Sequence, residues 1–134
     1  MARQLALDTG VLIALEKAGS SQTVILQPDD NIGLSLIALA EYRAGIVCAQ
    51  SEYRPRMQRF LDNFLSIVTL LPYDDDVLEH HVRLLAWTRQ HGAPRGQNDL
   101  IIAATAAATG RTLLTFDKRA HFNDLPGVRA QLLS

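Results

Sequence analysis

Between Leu100 and Thr109 the chain reads LIIAATAAAT, with leucine, isoleucine and alanine on nearly every face of a helix. A helix that is apolar all round has to be surrounded by protein, so the rest of the chain must supply layers to enclose it. Gln97-Asn98-Asp99 opens this helix. Gly110 follows its last apolar turn, where a left-handed residue is expected, and Thr112 to Phe116 then reads as a short strand buried on both faces. Two acids bracket the segment, Asp99 where the helix begins and Asp117 where the strand ends. Taken singly, Asp99 complements a helix dipole and Asp117 forms a turn. Matching acids elsewhere would change that reading.

The same grammar opens the chain. Gln4 to Leu7 is a short apolar run, Asp8 ends it, Thr9-Gly10 makes a break, and Val11 to Lys17 resumes with helical character. Gln22 to Gln27 reads as a short second helix and Pro28-Asp29-Asp30-Asn31 as a polar turn. Ile32 to Ile37 is a second buried strand. Ala38 to Ala49 is a helix with Leu39, Tyr42, Ile46 and Val47 at core spacing and Glu41 in its first turns. Gly45, one turn after Glu41, costs about 1 kcal/mol relative to alanine and predicts a segment passing close to the helix there.

Arg56 to Val68 is the most regular amphipathic helix, with Met57, Phe60, Leu61, Phe64, Leu65 and Val68 on one side. Val68 to Tyr73 holds a third strand. Asp76 and Glu79 have the spacing of a capping box before a helix from Val77 to His91, which Gly92-Ala93-Pro94 stops. Lys118 to Leu125 reads as a loop or short helix and Val128 to Leu133 as an edge strand. Four to five strands separated by helices, in 134 residues without repeats or linkers, predict one α/β domain around a mostly parallel sheet.

Composition narrows the function classes. A formal net charge of −1 with 20% charged residues describes a globular chain, and whole-protein charge does not announce nucleic acid. The distribution is more pointed, because Lys17 and Lys118 are the only lysines and Arg54, Arg56 and Arg59 cluster, a side-chain type suited to bidentate phosphate contacts. One cysteine, Cys48, excludes an intrachain disulfide and a thiolate zinc site; its apolar neighbours predict a packing role. No apolar run is long enough to span a membrane and no secretory stretch opens the chain, so the expected compartment is the cytoplasm.

Position sorts the fourteen acids. Asp29, Asp30, Asp74, Asp75 and Asp76 lie in turns or before a helix, where local chemistry explains them. Asp8, Glu41, Asp99 and Asp117 border apolar elements instead, and in an open parallel sheet sites form outside the carboxyl ends of the strands. Two unit charges ~4 Å apart repel by roughly 4 kcal/mol at an effective dielectric of about 20, so four carboxylates sharing a site call for a cation. Oxygen-only ligands select a hard ion, Mg²⁺ or Mn²⁺. Such an ion can activate water toward a phosphodiester, which makes nucleic-acid hydrolysis the leading chemistry. There is no P-loop, GxSxG or HExxH motif; His80 and His81 diverge on their helix, and His121, close after Asp117, is the histidine of interest.

With these acids in place the chain resembles the PIN-domain ribonucleases, and most closely the VapC-type toxins of bacterial toxin–antitoxin pairs. The resemblance runs through LALDTGVLIAL (Leu5 to Leu15), ALAEYRAG (Ala38 to Gly45), NDLIIAA (Asn98 to Ala104) and LLTFDKRAHFNDLPGV (Leu113 to Val128). It implies a three-layer α/β/α fold and RNA cleavage with Mg²⁺ or Mn²⁺. It carries Asp8, Glu41, Asp99 and Asp117 over as the metal-binding quartet, with Thr9 and Thr115 as hydroxyls beside it. It further implies a homodimer, possibly within a larger toxin–antitoxin assembly, and a small antitoxin as partner. The pattern departs at Gly10, where many relatives carry Asn or Ser, and Ser51 to Gly92 has no strong match.

Two function classes follow. In the first, a metal-dependent ribonuclease, Arg43, Arg54, Arg56 and Arg59 are candidates for RNA phosphate contacts, and the apolar stripe on Arg56 to Val68 offers a groove for an antitoxin helix or a second subunit. The alternative is a receiver-like module that binds Mg²⁺ and accepts phosphate, using Lys118 beside Asp117; it leaves Glu41 without a task.

Overall fold

A computed structural model describes residues 2–19 and 25–134. These form, in order, β1 (Gln4–Leu7), α1 (Thr9–Ala18), β2 (Asn31–Ser35), α2 (Leu36–Cys48), α3 (Arg54–Leu65), β3 (Thr69–Leu71), α4 (Asp75–Gln90), α5 (Gln97–Ala108), β4 (Thr112–Thr115), a 3₁₀ turn (Phe122–Asp124) and β5 (Ala130–Leu132). The sheet order is β3-β2-β1-β4-β5, and every neighbouring pair is parallel. All strands therefore end at one edge. Because β1 is followed by β2 on one side and flanked by β4 on the other, the strand order reverses between β1 and β4, and a crevice is expected outside their carboxyl ends.

Successive strand residues point to opposite faces, yet Leu5, Ala6 and Leu7 are all buried, as are Leu113 and Leu114. Helices must then cover both faces. The α5 helix meets the expectation for its sequence, with Leu100 and Ile102 to Ala106 buried, and Gly110 closes it at φ 66°. Two strand-to-helix junctions are immediate. Asp8 caps α1 directly after β1, and Ser35 caps α2 directly after β2, its Oγ accepting from Ala38 N at 3.1 Å.

The opposite edge is tied by a buried cation. Arg111 donates from Nη1 to the carbonyls of Leu5 and Asn31, each at 3.1 Å. It lies against Gly33 in β2, where an added Cβ would stand 2.8 Å from its Nε and 2.6 Å from Leu71 Cδ1. Nearby, Arg3 pairs bidentately with Asp30 at 2.8 and 2.6 Å, so the turn acid also anchors the start of the chain.

Several expectations fail. Gly45 is exposed and a Cβ there would meet nothing, so no segment approaches it. Val47 is 71% exposed and Cys48 is exposed, because the outer side of the last turn of α2 is left uncovered. The cap of α4 is Asp74, whose Oδ1 accepts from Val77 N at 3.0 Å, not an Asp76–Glu79 box. The α3 helix begins two residues early, since Pro55 fits the first turn of a helix, and ends at Leu65. Of the helix expected over Gln22 to Gln27, residues 22–24 lie outside the described residues and 25–27 are not helical.

Candidate active site

Asp8 is the innermost of the four acids, 8% exposed. Its Oδ1 accepts from Thr9 N at 2.9 Å and its Oδ2 from the Thr115 hydroxyl at 2.8 Å. Thr115, the last residue of β4, also accepts from Asp117 N at 3.0 Å, so one hydroxyl joins the ends of β1 and β4. Asp117 is exposed, and its Oδ1 accepts from Arg119 N at 2.9 Å and Ala120 N at 3.2 Å. Glu41 reaches the same place from the second turn of α2. Its Oε1 takes the Thr9 hydroxyl proton at 2.6 Å, and Asn98 Nδ2 donates to Oε2 at 3.4 Å.

Asp99 comes from the first turn of α5 and folds back over Gly96, where a Cβ would lie 3.0 Å from its Oδ2. A side chain at position 96 would crowd that carboxylate. Burial first, then the charges of Asp8, Asp117 and Glu41, push the Asp99 carboxyl up to about 6. Burial likewise raises Asp8; the bonds from Thr115 and Thr9 oppose it, and Asp117 and Glu41 add to it. An open crevice of about 330 Å³ is lined by Glu41, Gly96, Gln97, Asn98 and Asp99. Beyond Thr115 and Asp117 a smaller depression of about 160 Å³ includes His121, the one non-glycine residue with positive φ (46°) among the described residues.

The four acids thus sit at one edge of the sheet, each within electrostatic reach of others. They do not close on one another: among the described residues no three His, Cys, Asp or Glu side chains form a ready-made cation cage. Uncompensated carboxylates repel one another, and this cluster is an open one. Its donors are oxygens only, which fits a hard divalent cation and not a soft one.

The arginines lie elsewhere. Arg56 pairs with Glu16 at 3.1 Å, seven residues and ~10 Å of helix rise from Thr9, and Arg54 Nε donates to Ala49 O at 2.9 Å. Arg43, two residues after Glu41, and Arg59 are exposed. Asn98 is a participant the sequence did not single out. Beside Asp99 it reads as part of a helix opening, and only the approach of α2 gives it Glu41.

Comparison with known proteins bears on the family and the fold. The model of the PIN domain family matches residues 5–128. The chain is 31% identical over 112 residues to ribonuclease VapC5 of Mycobacterium tuberculosis, covering 83% of this chain and 81% of that protein. It is 31% identical over 113 residues to ribonuclease VapC2 of Rickettsia felis, covering 81% and 83%. Among solved structures, VapBC2 from Rickettsia felis, bound to a promoter DNA fragment, superposes with TM-score 0.84 at 25% identity over 97% of this chain and 98% of that one. VapBC-5 from Mycobacterium tuberculosis, described as a member of a family of toxin–antitoxin systems, gives TM-score 0.76 at 30% identity over 96% and 97%. A match across nearly the whole length, by sequence and by fold, places this chain in the PIN-domain family.

Proposed function

We propose that the chain is a metal-dependent endoribonuclease, the toxin of a toxin–antitoxin pair, in which Asp8, Glu41, Asp99 and Asp117 hold Mg²⁺ or Mn²⁺. The observation that carries this reading is the gathering of four carboxylates, with oxygen donors only, at the crevice where the strand order reverses. The names of the relatives support it. When bound, a divalent ion would supply a water nucleophile at neutral pH and neutralise charge on the phosphodiester.

The chain's own groups divide the remaining work. Thr115 and the Thr9 amide fix both oxygens of Asp8, so it faces the site as an acceptor in a set orientation. Thr9 and Asn98 do the same for Glu41. Asp117 has one oxygen held by two backbone amides and keeps the other for a cation. Asp99, raised by its neighbours, is the acid with most to gain from a counter-charge. Of the arginines, Arg43 and Arg59 are exposed and remain the candidates for RNA phosphate contacts outside the acid cluster. A phosphate-accepting module has no use for the hydrogen bonds that hold Glu41, which favours the nuclease.

An antitoxin segment is the second part of the proposal. A groove of about 330 Å³ between α1, α2 and α3 is lined by Ile13, Tyr42, Tyr53 and Met57, with the Glu16–Arg56 pair at its rim. Its apolar floor and charged edge suit one face of an amphipathic helix. Dimerisation belongs to the same reading, and α4 leaves Leu78 and Val82, one turn apart, exposed. No helix of the described residues is long and apolar enough to cross a membrane.

Cleavage of RNA by the purified protein tests the core of this. Activity with Mn²⁺ should disappear in chelator and in a folded Asp99→Asn protein. Retained cleavage by that variant would overturn the assignment.

A further inference from the structure

We infer that Arg95 is the positioning residue of the site, holding the Asp117 loop against the segment that opens α5 so that Asp117 and Asp99 meet one cation. The inference rests on the reading of the acids as a cation site. Arg95 lies between Pro94 and Gly96, outside every helix and strand. Its guanidinium donates from Nε to Ala120 O, from Nη1 to Ala93 O at 2.6 Å and from Nη2 to His121 O at 3.4 Å. Trp87 backs the fork, its ring centroid 5.8 Å from Cζ.

Three features give this arrangement its consequence. First, the bonds join two stretches of chain that separately carry Asp99 and Asp117. Second, Ala120, whose carbonyl Arg95 holds, donates its own N–H to Asp117 Oδ1 at 3.2 Å. Holding the peptide after Ala120 restrains the one before it, and Thr115 Oγ1 accepts from the Asp117 amide, so the residue is held at its backbone and at its carboxylate. Third, the hydrogen bonds of the guanidinium go to backbone carbonyls and not to the four carboxylates of the site. A fork that reaches three carbonyls from three separate nitrogens requires arginine, since lysine offers a point charge without that geometry. The residue between Pro94 and Gly96 carries no periodic signal, so only the fold reveals its role.

The sign of the effect separates positioning from charge. Removing a cation near an acidic cluster strengthens binding of another cation by Coulomb's law. Loss of positioning weakens it. The test is calorimetric titration of Mg²⁺ into the full chain and its Arg95→Met and Arg95→Lys variants, with melting temperatures in chelator and the kcat and KM for RNA cleavage. Arg95→Met should bind Mg²⁺ about tenfold more weakly and lose kcat with little change in KM. Arg95→Lys should fall between Arg95→Met and the parent.

A Mg²⁺ dissociation constant for Arg95→Met that is lower, or raised less than threefold, overturns the inference. So does full rescue by lysine. If Arg95→Met does not fold, Arg95→Lys decides by the same threefold criterion. Proton exchange in the parent protein gives an independent reading: the Arg95 Nε–H should be protected and gain further protection with Mg²⁺, and rapid exchange in both states would refute the fork. Asp117→Asn, titrated alongside, keeps the two readings apart. Unchanged Mg²⁺ binding there removes the cation site itself, whereas lost binding there with unchanged binding in Arg95→Met removes only the role of Arg95.

Discussion

At the amino edge of the sheet Arg111 is buried, and the carbonyls of Leu5 and Asn31 accept from its Nη1; at the carboxyl edge Asp99 is half-buried among three other carboxylates, with no hydrogen bond among the described residues to offset them. Among the described residues no acid faces Arg111, whose Nε is buried without a hydrogen bond and whose pKa is lowered by burial, but carbonyls hold it; nearby, Arg3 is paired with Asp30. The difference shows two uses of a charge inside one small fold. Where charge is hydrogen-bonded it fastens strand ends together; where carboxylates are left uncompensated, the proposed function gives them a cation from solution. Substitutions at the two edges should accordingly produce effects of different kind.

The largest expected effect is on chemistry at the carboxyl edge. Asp99→Asn should lower the rate of Mn²⁺-supported RNA cleavage by about 10²- to 10³-fold or more, the scale seen when a group that stabilises developing charge is removed. A single-turnover assay on folded protein checks it. A comparable loss from a substitution at the amino edge would erase the distinction between the edges.

Next comes stability at the amino edge. Gly33→Ala should cost about 1–3 kcal/mol, because the new Cβ would sit 2.6 Å from Leu71 Cδ1 and 2.8 Å from Arg111 Nε, both side chains being buried and Arg111 bonded to two carbonyls. Urea unfolding measures this, and the Mg²⁺ affinity of the variant should stay near that of the parent. Gly45→Ala, by contrast, meets nothing and should stabilise the exposed α2 by roughly the helix-propensity difference of about 1 kcal/mol.

Smaller and more diagnostic is the response to pH. In chelator Asp99, held near 6 when folded, opposes folding once it ionises; the penalty is complete above pH 6 and fades as pH falls toward the ordinary carboxyl range. Asp99→Asn should therefore stabilise the metal-free protein at pH 8, by on the order of 1 kcal/mol after solvent screening, and lose that advantage near pH 4. Saturating Mg²⁺ should abolish the advantage at pH 8. Asp30 has the opposite sign. Its bond from Arg3 holds it below the usual carboxyl range, so it contributes stability above its unfolded value that is lost as pH falls through its folded one. Asp30→Asn should weaken the protein at pH 7 and matter least in acid. Unfolding midpoints at the two pH values that moved in parallel for Asp99→Asn and Asp30→Asn would sink the contrast.

Much of the fold was legible because periodic apolar runs have few ways to be buried. Leu100 to Thr109 demanded enclosure and received it, and Asp8 and Asp117 stood after runs that became adjacent strands. What the sequence could not show is which apolar face is left bare, hence the misplacement of Val47 and Cys48. Nor could it say which glycine is crowded. Gly45 drew notice for sitting in a helix, yet Gly33 is the one pressed by neighbours, one of them 78 residues away along the chain at Arg111. Site partners had the same character. The acids could be picked out by their place at the ends of elements, while Asn98 and Arg95 have their roles through loops and helices that only folding brings near.

The central strand has a temporal consequence. β1 is made before the other described strands, but one of its two neighbours, β4, is made more than a hundred residues later. A growing chain thus carries Asp8 through the next 107 residues with an open flank and no Thr115 beside it. In each new chain the cluster around Asp8 therefore stays incomplete until β4 has emerged and paired with β1.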